Sequence, residues 1–189
     1  MQLQKSGIRV MGIAESYDTR DISLLAGVVM RKDLYIDGFT FNTITVGGDD
    51  SSDAIISMFQ VLNRRDISLI MISGCALAWF NILRPQYIYE ETKIPVICVS
   101  YEESEGLDVH IKNHFPDDSH KIEAYLSLKP RRAVSLKTGY TLYARGYGIT
   151  DSETDKACII FTHHGKIPEP IRIARLCARS VMQYTHNRR

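Results

Sequence analysis

The sequence predicts an α/β fold: a mixed five-stranded sheet flanked by helices, with extra strands late in the chain. Three observations carry this reading. The first quarter holds three β-rich runs, the last two joined by a turn too short for a parallel crossover, which permits an antiparallel hairpin. The middle then alternates strand and helix. Two near-continuous apolar runs, Ile67 to Ile72 and Ile94 to Ser100, read as buried central strands.

Taken in order, Ile8 to Ala14 is the first strand, beginning after Gly7. Leu24 to Met30 is the second, closed by the charged turn Arg31-Lys32-Asp33, and Tyr35 to Val46 alternates as the third. After Gly47-Gly48, Asp50 or Ser51 caps a helix whose apolar face is Ile55, Met58, Phe59 and Leu62. The fourth strand is Ile67 to Ile72. Asn81 to Thr92 is helical from about Pro85, since proline suits a first turn and breaks an interior. Ile94 to Ser100 is the fifth strand, and the polar stretch from Glu102 to Leu128 holds two short helices. Val134 to Leu136 and Thr141 to Arg145 are the late strands. Helices over Ser152 to His163 and Pro168 to Tyr184, split by Gly165, complete the chain.

Composition bounds what this fold does. A chain of 189 residues is the size of one domain, here 1–189, with 44% hydrophobic and 24% charged residues. No apolar run is long enough to span a bilayer and no secretion signal opens the sequence, so the expectation is a soluble cytoplasmic protein. Cys75, Cys98, Cys158 and Cys177 form no CxxC pair and read as buried reduced thiols. A formal charge of +1 gives no whole-molecule attraction to phosphate, so nucleic-acid binding requires a local basic patch.

Five stretches then narrow the class. Lys166-Ile-Pro-Glu-Pro-Ile-Arg-Ile-Ala174 resembles the R-(L/I)-P-E-P-x-R-x-A segment that opens the last helix of endonuclease V. Leu142-Tyr-Ala-Arg-Gly-Tyr-Gly-Ile-Thr150 resembles that enzyme's L-Y-V-S-x-G-H-x-I-S turn, and Leu34-Tyr-Ile-Asp-Gly-Phe39 its P-Y-I-P-G-F wedge. The chain is more similar to an uncharacterised archaeal family of endonuclease V-like proteins. That family's I-R-V-x-G-I-D-D and L-x-G-I-x-x-x-G-F-N match Ile8-Arg-Val-Met-Gly-Ile-Ala-Glu15 and Ile72-Ser-Gly-Cys-Ala-Leu-Ala-Trp-Phe-Asn81. The resemblance runs from about Gly7 to Val181 and implies a ribonuclease H-like fold. It does not by itself imply a shared activity.

Endonuclease V cuts a phosphodiester near deaminated bases, using divalent metal held by clustered carboxylates. The resemblance puts those carboxylates at the ends of the first and fourth strands and the start of the first helix. Here the strand positions are Ala14 and Ser73, which carry no charge. Glu15 adjoins Ala14, but neighbours on a regular strand point to opposite faces. Glu15 and Asp50 are the candidate metal ligands, and Mg or Mn enters only if they form a rearranged site. Asp49, Asp50 and Asp53 otherwise serve the helix N-terminus. Tyr147 replaces the histidine of the G-H turn, and Glu102-Glu103 stands where a lysine is expected, repelling phosphate.

Further constellations are weaker. His110, His114 and His120 lack the companions of a zinc site, and His163-His164 suits a helix C-terminus. Ser73-Gly74 lacks the nucleophile-elbow frame. Basic residues gather at Lys129, Arg131, Arg132 and Lys137, and as a helical stripe at Arg172, Arg175 and Arg179. With Arg145 and the rings of Tyr35, Tyr143 and Tyr147 they offer phosphate contacts and stacking faces; a solvated charged surface is the plain alternative. The expected function is an endonuclease V-like, non-catalytic nucleic-acid-binding protein, its partner single-stranded or deaminated nucleic acid. A metal-dependent endonuclease with a rearranged acidic site and a protein-scaffolding domain are the alternatives.

Overall fold

In the computed structural model, which describes residues 7–17, 21–104 and 106–186, the chain opens with three long strands. These are β1 (Arg9–Ser16), β2 (Ile22–Arg31) and β3 (Ile36–Thr45), each antiparallel to the one before. Helix α1 (Ser51–Leu62) follows, ending on Asn63 in the left-handed conformation usual for a C-cap. Strand β4 (Ile67–Ser73) returns parallel to β1, pairing Ile13 with Ile72. A small hairpin, β5 (Ala76–Leu77) and β6 (Asn81–Ile82), leads into α2 (Pro85–Thr92), with proline in its first turn as expected. Then come β7 (Val96–Ser100), α3 (Asp108–His114), α4 (Ser119–Leu126), β8 (Arg132–Ser135), β9 (Thr141–Tyr147), α5 (Asp151–Phe161) and α6 (Glu169–His186).

The expected five strands are the first five of a seven-stranded mixed sheet, in the order β3-β2-β1-β4-β7-β9-β8, with the late strands continuing its far edge. The sheet divides two cores. One packs Met11, Ile13, Leu25, Ile55, Met58 and Ile72 beneath α1 and α2. The other packs Val10, Ala14, Val28, Met71, Val99, Phe161 and Ala174 beneath α5 and α6. Leu69, Ile70, Met71 and Ile72 are fully buried, which is why this strand reads as an unbroken apolar run.

Strand direction decides where chemistry collects. β1, β3, β4 and β7 run the same way, so Ser16, Thr45, Ser73 and Ser100 end at one edge, the carboxyl edge. The β2–β3 turn lies at the other. The Leu34–Phe39 stretch, which resembles the endonuclease V wedge, therefore sits on the order of 20 Å from the carboxyl edge along the strands. There Asp37, in place of a wedge proline, joins Arg9 and Arg64 in an ion-pair group; their hydrogen bonds hold its carboxyl below the usual range.

The last helix is placed by one glycine. A Cβ on Gly12 would lie 2.3 Å from the carbonyl carbon of Pro170, so only glycine lets the start of α6 rest directly on β1. Among the described residues no helix is long and apolar enough to cross a membrane. The four cysteines are free; Cys75, Cys98 and Cys158 are buried and Cys177 half-buried.

Candidate anion-binding cleft

The register between β1 and β4 sets Ala14 and Ser73 side by side at the carboxyl edge, facing α6. These are the positions that the endonuclease V resemblance assigns to metal-binding carboxylates. Ala14 is 1% exposed and can ligate nothing. Ser73 Oγ instead accepts a hydrogen bond from Arg175 Nη2 at 2.8 Å. The guanidinium of Arg175, carried across by the close seating of α6 on Gly12, also lies 5.3 Å from the centre of the Tyr101 ring.

Beyond Arg175 opens a cleft of about 400 Å³, whose walls include Ser73, Tyr101, Glu102, Arg131, Arg145 and Arg175. Each arginine is held. Arg131 donates to Glu102 O at 3.3 Å and to Ser104 O, and lies 5.6 Å from the Tyr143 ring. Arg145 Nε donates to Lys129 O. The Tyr101 hydroxyl is buried without a well-formed hydrogen bond. Burial pushes it up to about 12, so it remains a proton donor at neutral pH. Glu102, which the sequence sets against a phosphate, is ion-paired with Lys166 Nζ at 2.5 Å. The walls thus carry three guanidinium groups against one carboxylate that already has a cation.

The acidic candidates are engaged elsewhere. Glu15 points to the opposite sheet face, as strand alternation requires. Both its oxygens lie 2.9 Å from the Ala78 N–H, and Ser23 Oγ donates at 2.8 Å. Burial raises its pKa, and those hydrogen bonds only partly offset the rise. Asp50 stands at the N-cap of α1 without capping it. Its carboxylate accepts from Thr45 Oγ1 at 2.8 Å and Asn81 Nδ2 at 2.7 Å; despite burial, these bonds hold its pKa low. Asp53 pairs with Arg84 and Asp49 with Lys121. Among the described residues no group of three histidine, cysteine or carboxylate side chains is arranged to hold a metal ion. With alanine, serine and an arginine at its centre, the carboxyl edge does not fit the clustered-carboxylate metal site that the resemblance implies.

Other expected site residues disperse. Tyr35 is 63% exposed, but on the opposite edge, against Arg31. Tyr147 is only 3% exposed; its hydroxyl accepts from the Lys129 N–H and Lys129 Nζ covers its ring, so it offers no stacking face. Lys137 is exposed in the β8–β9 turn, and Arg172 is ion-paired with Glu169 at 2.7 Å. Of the expected binding residues the cleft gathers Arg145 and Arg175, joined by Arg131 from the basic cluster.

One feature of this edge had no sequence signal. Ala78, Trp79 and Phe80, the turn of the β5–β6 hairpin, have φ of 36, 59 and 63°. Three successive non-glycine residues in the left-handed region cost about 1–2 kcal/mol each. The turn is held by Glu15 on the Ala78 N–H and by the Gly47 N–H donating to Ala78 O at 2.7 Å.

Comparison with known proteins gives a consistent picture. The family model described as Endonuclease dU matches residues 6–182. A UPF0215 protein of Pyrobaculum calidifontis is 35% identical over 180 residues, covering 94% of this chain and 99% of its own length. A UPF0215 protein of Thermoplasma volcanium is 32% identical over 182 residues, covering 94% and 91%. The crystal structure of a protein of unknown function from Archaeoglobus fulgidus superposes with a TM-score of 0.79 at 28% identity, covering 92% of this chain and 98% of that one. At 13% identity, endonuclease V of Ciona intestinalis in complex with inosine-containing DNA superposes with a TM-score of 0.67, covering 97% and 88%. That likeness concerns the fold.

Proposed function

Because this chain belongs to the endonuclease dU family, whose fold is that of endonuclease V, we propose that it binds nucleic acid through the arginine cleft without metal-dependent cleavage. The observation that carries this reading is the 2.8 Å hydrogen bond from Arg175 to Ser73. A fixed guanidinium stands beside the two positions where, by resemblance, carboxylates would hold a cation. A guanidinium repels a divalent ion and attracts a phosphate, which it grips through two parallel N–H donors. The same place on the fold thus meets the same ligand atom with a built-in cation in place of a metal.

The remaining chemistry supports binding over cutting. Phosphodiester hydrolysis needs an activated water and charge neutralisation at the leaving oxygen. The three arginines supply neutralisation; the nearby carboxylates that would activate water are hydrogen-bonded away or ion-paired. A shared metal on Glu15 and Asp50 is disfavoured for the same reason.

The test is labelled single-stranded DNA, with and without inosine or deoxyuridine, titrated at several salt concentrations. Affinity should fall steeply with salt as phosphate contacts release counterions, and Arg175→Ala should flatten the slope by about one. The strand should stay intact with Mg²⁺ or Mn²⁺. Cleavage by the parent protein that Glu15→Gln abolishes would overturn the reading.

A further inference from the structure

We propose that the Trp79 turn is a nucleobase-stacking platform, on which a single strand held by the arginine cleft lays a base. This rests on the nucleic-acid reading and adds to it a second contact of different chemistry. The turn begins directly beyond the cleft wall: Gly74, Cys75 and Ala76 line the cleft, and Ala76–Leu77 is the first strand of the hairpin that Trp79 tips. Cleft and turn therefore share the carboxyl edge, with only Leu77 between the cleft-lining Ala76 and the first residue of the turn.

Trp79 is presented, not packed. It is 48% exposed, and its ring neighbours Phe80 and His114 meet it at interplanar angles of 68 and 62°, so neither lies flat on it. Its support is built from beneath. Phe80 stacks on His114 at 5.8 Å, Phe80 meets Phe115 edge-on, and Lys121 Nζ lies 5.0 Å from the Phe115 ring. Lys121 is itself buried and donates to Gly47 O and Gly48 O.

The backbone carries the argument further. Trp79 has a φ of 59°, a conformation in which glycine rests without strain and a side chain does not. A bulky ring held there beside Ala78, whose N–H donates to the half-buried Glu15 carboxylate, is stored strain, and such strain clusters where function uses it. The chemistry that fits is a flat apolar ring on a flexible anionic chain. Any nucleobase satisfies it, because every base has a stacking face.

The chain has one tryptophan, so its emission reads this position alone. A short labelled oligothymidylate is titrated into the full-length protein with two readouts: anisotropy of the label and emission of Trp79. Binding should quench the tryptophan with the same midpoint as the anisotropy. Trp79→Gly should weaken binding roughly tenfold, the loss of one stacked base, without lowering the melting temperature; Trp79→Phe should retain most of the affinity. Binding by anisotropy with unchanged emission, or undiminished binding by Trp79→Gly, overturns the platform and leaves the arginine cleft standing. No binding in either channel overturns both.

Discussion

If Arg175 stands in for a metal ion, restoring the carboxylates alone will not restore a metal site. Consider Ala14→Asp and Ser73→Asp together. A dication bound at the new carboxylates would lie about 4 Å from the guanidinium that now touches Ser73 Oγ. At the effective dielectric of a protein surface, unit charges at that distance interact by about 4 kcal/mol, and a dication doubles this to about 8 kcal/mol. Arg175 is half-buried, so solvent screens part of it. Half the effect, about 4 kcal/mol, still weakens metal affinity about a thousandfold. The new carboxylate at position 73 would pair with Arg175 instead. Adding Arg175→Ala to the double variant removes both the repulsion and the competitor. The assay is the Mn²⁺-dependent rise in melting temperature, each variant measured against its own metal-free baseline because a charge at the buried Ala14 position lowers stability. The double variant should show little Mn²⁺ response and the triple variant a clear one. Equal responses would refute the idea that the arginine occupies the cation's place.

Two further outcomes follow from the geometry. Burial raises the Glu15 pKa above its ordinary value, so the folded state holds this proton more tightly than the unfolded chain does. Its contribution is fully present below about pH 4.5 and is lost as pH rises through the folded pKa. Glu15→Gln keeps an acceptor for Ala78, so its melting temperature relative to the parent should climb across that window; a flat or falling difference refutes the assignment. Gly12→Ala forces a Cβ into the Pro170 backbone. It should cost about 1–3 kcal/mol in urea unfolding and weaken DNA binding as α6 lifts Arg175 away; normal stability would show that the contact relaxes without cost.

The sheet was legible because burial leaves a periodic trace. β4 and β7 are apolar on both faces, β2 and β3 are linked by a turn too short for a crossover, and Pro85 marks its helix start. That Ala14 and Ser73 stand at adjacent strand ends was implied by the endonuclease V resemblance and not by periodicity. What was not legible depends on direction or on a second element. Leu34–Phe39 resembles a wedge as a string, but a string does not say which edge a hairpin turn occupies. Arg175 read as one member of a helical stripe open to phosphate or to solvent, since spacing along α6 says nothing about which strand lies opposite. The Trp79 turn was invisible because alanine, tryptophan and phenylalanine are residues that local propensity keeps out of left-handed backbone. Glu15, sixty-three positions away, and the Gly47 N–H are what hold it. Tyr147 was misplaced because it ends β9 opposite Val96, the first residue of β7, at the sheet edge away from the carboxyl ends.

Strand β1 has a consequence for how such a site changes over time. Ala14 faces Arg175, while Glu15, one peptide later, faces the Trp79 turn. A pleated strand turns over when its pairing slips by one residue, and β1 already changes register against β4 between Arg9 and Val10. One residue gained or lost upstream of Gly12 would present a carboxylate to Arg175 and withdraw the brace from Trp79. It would also bring a side chain against Pro170, where only glycine fits. On the proposed reading, a conversion between a cation-holding and an anion-holding edge is therefore barred to insertions and deletions in this strand. It would run through substitutions at 14, 73 and 175, each constrained by the charge it leaves facing the others.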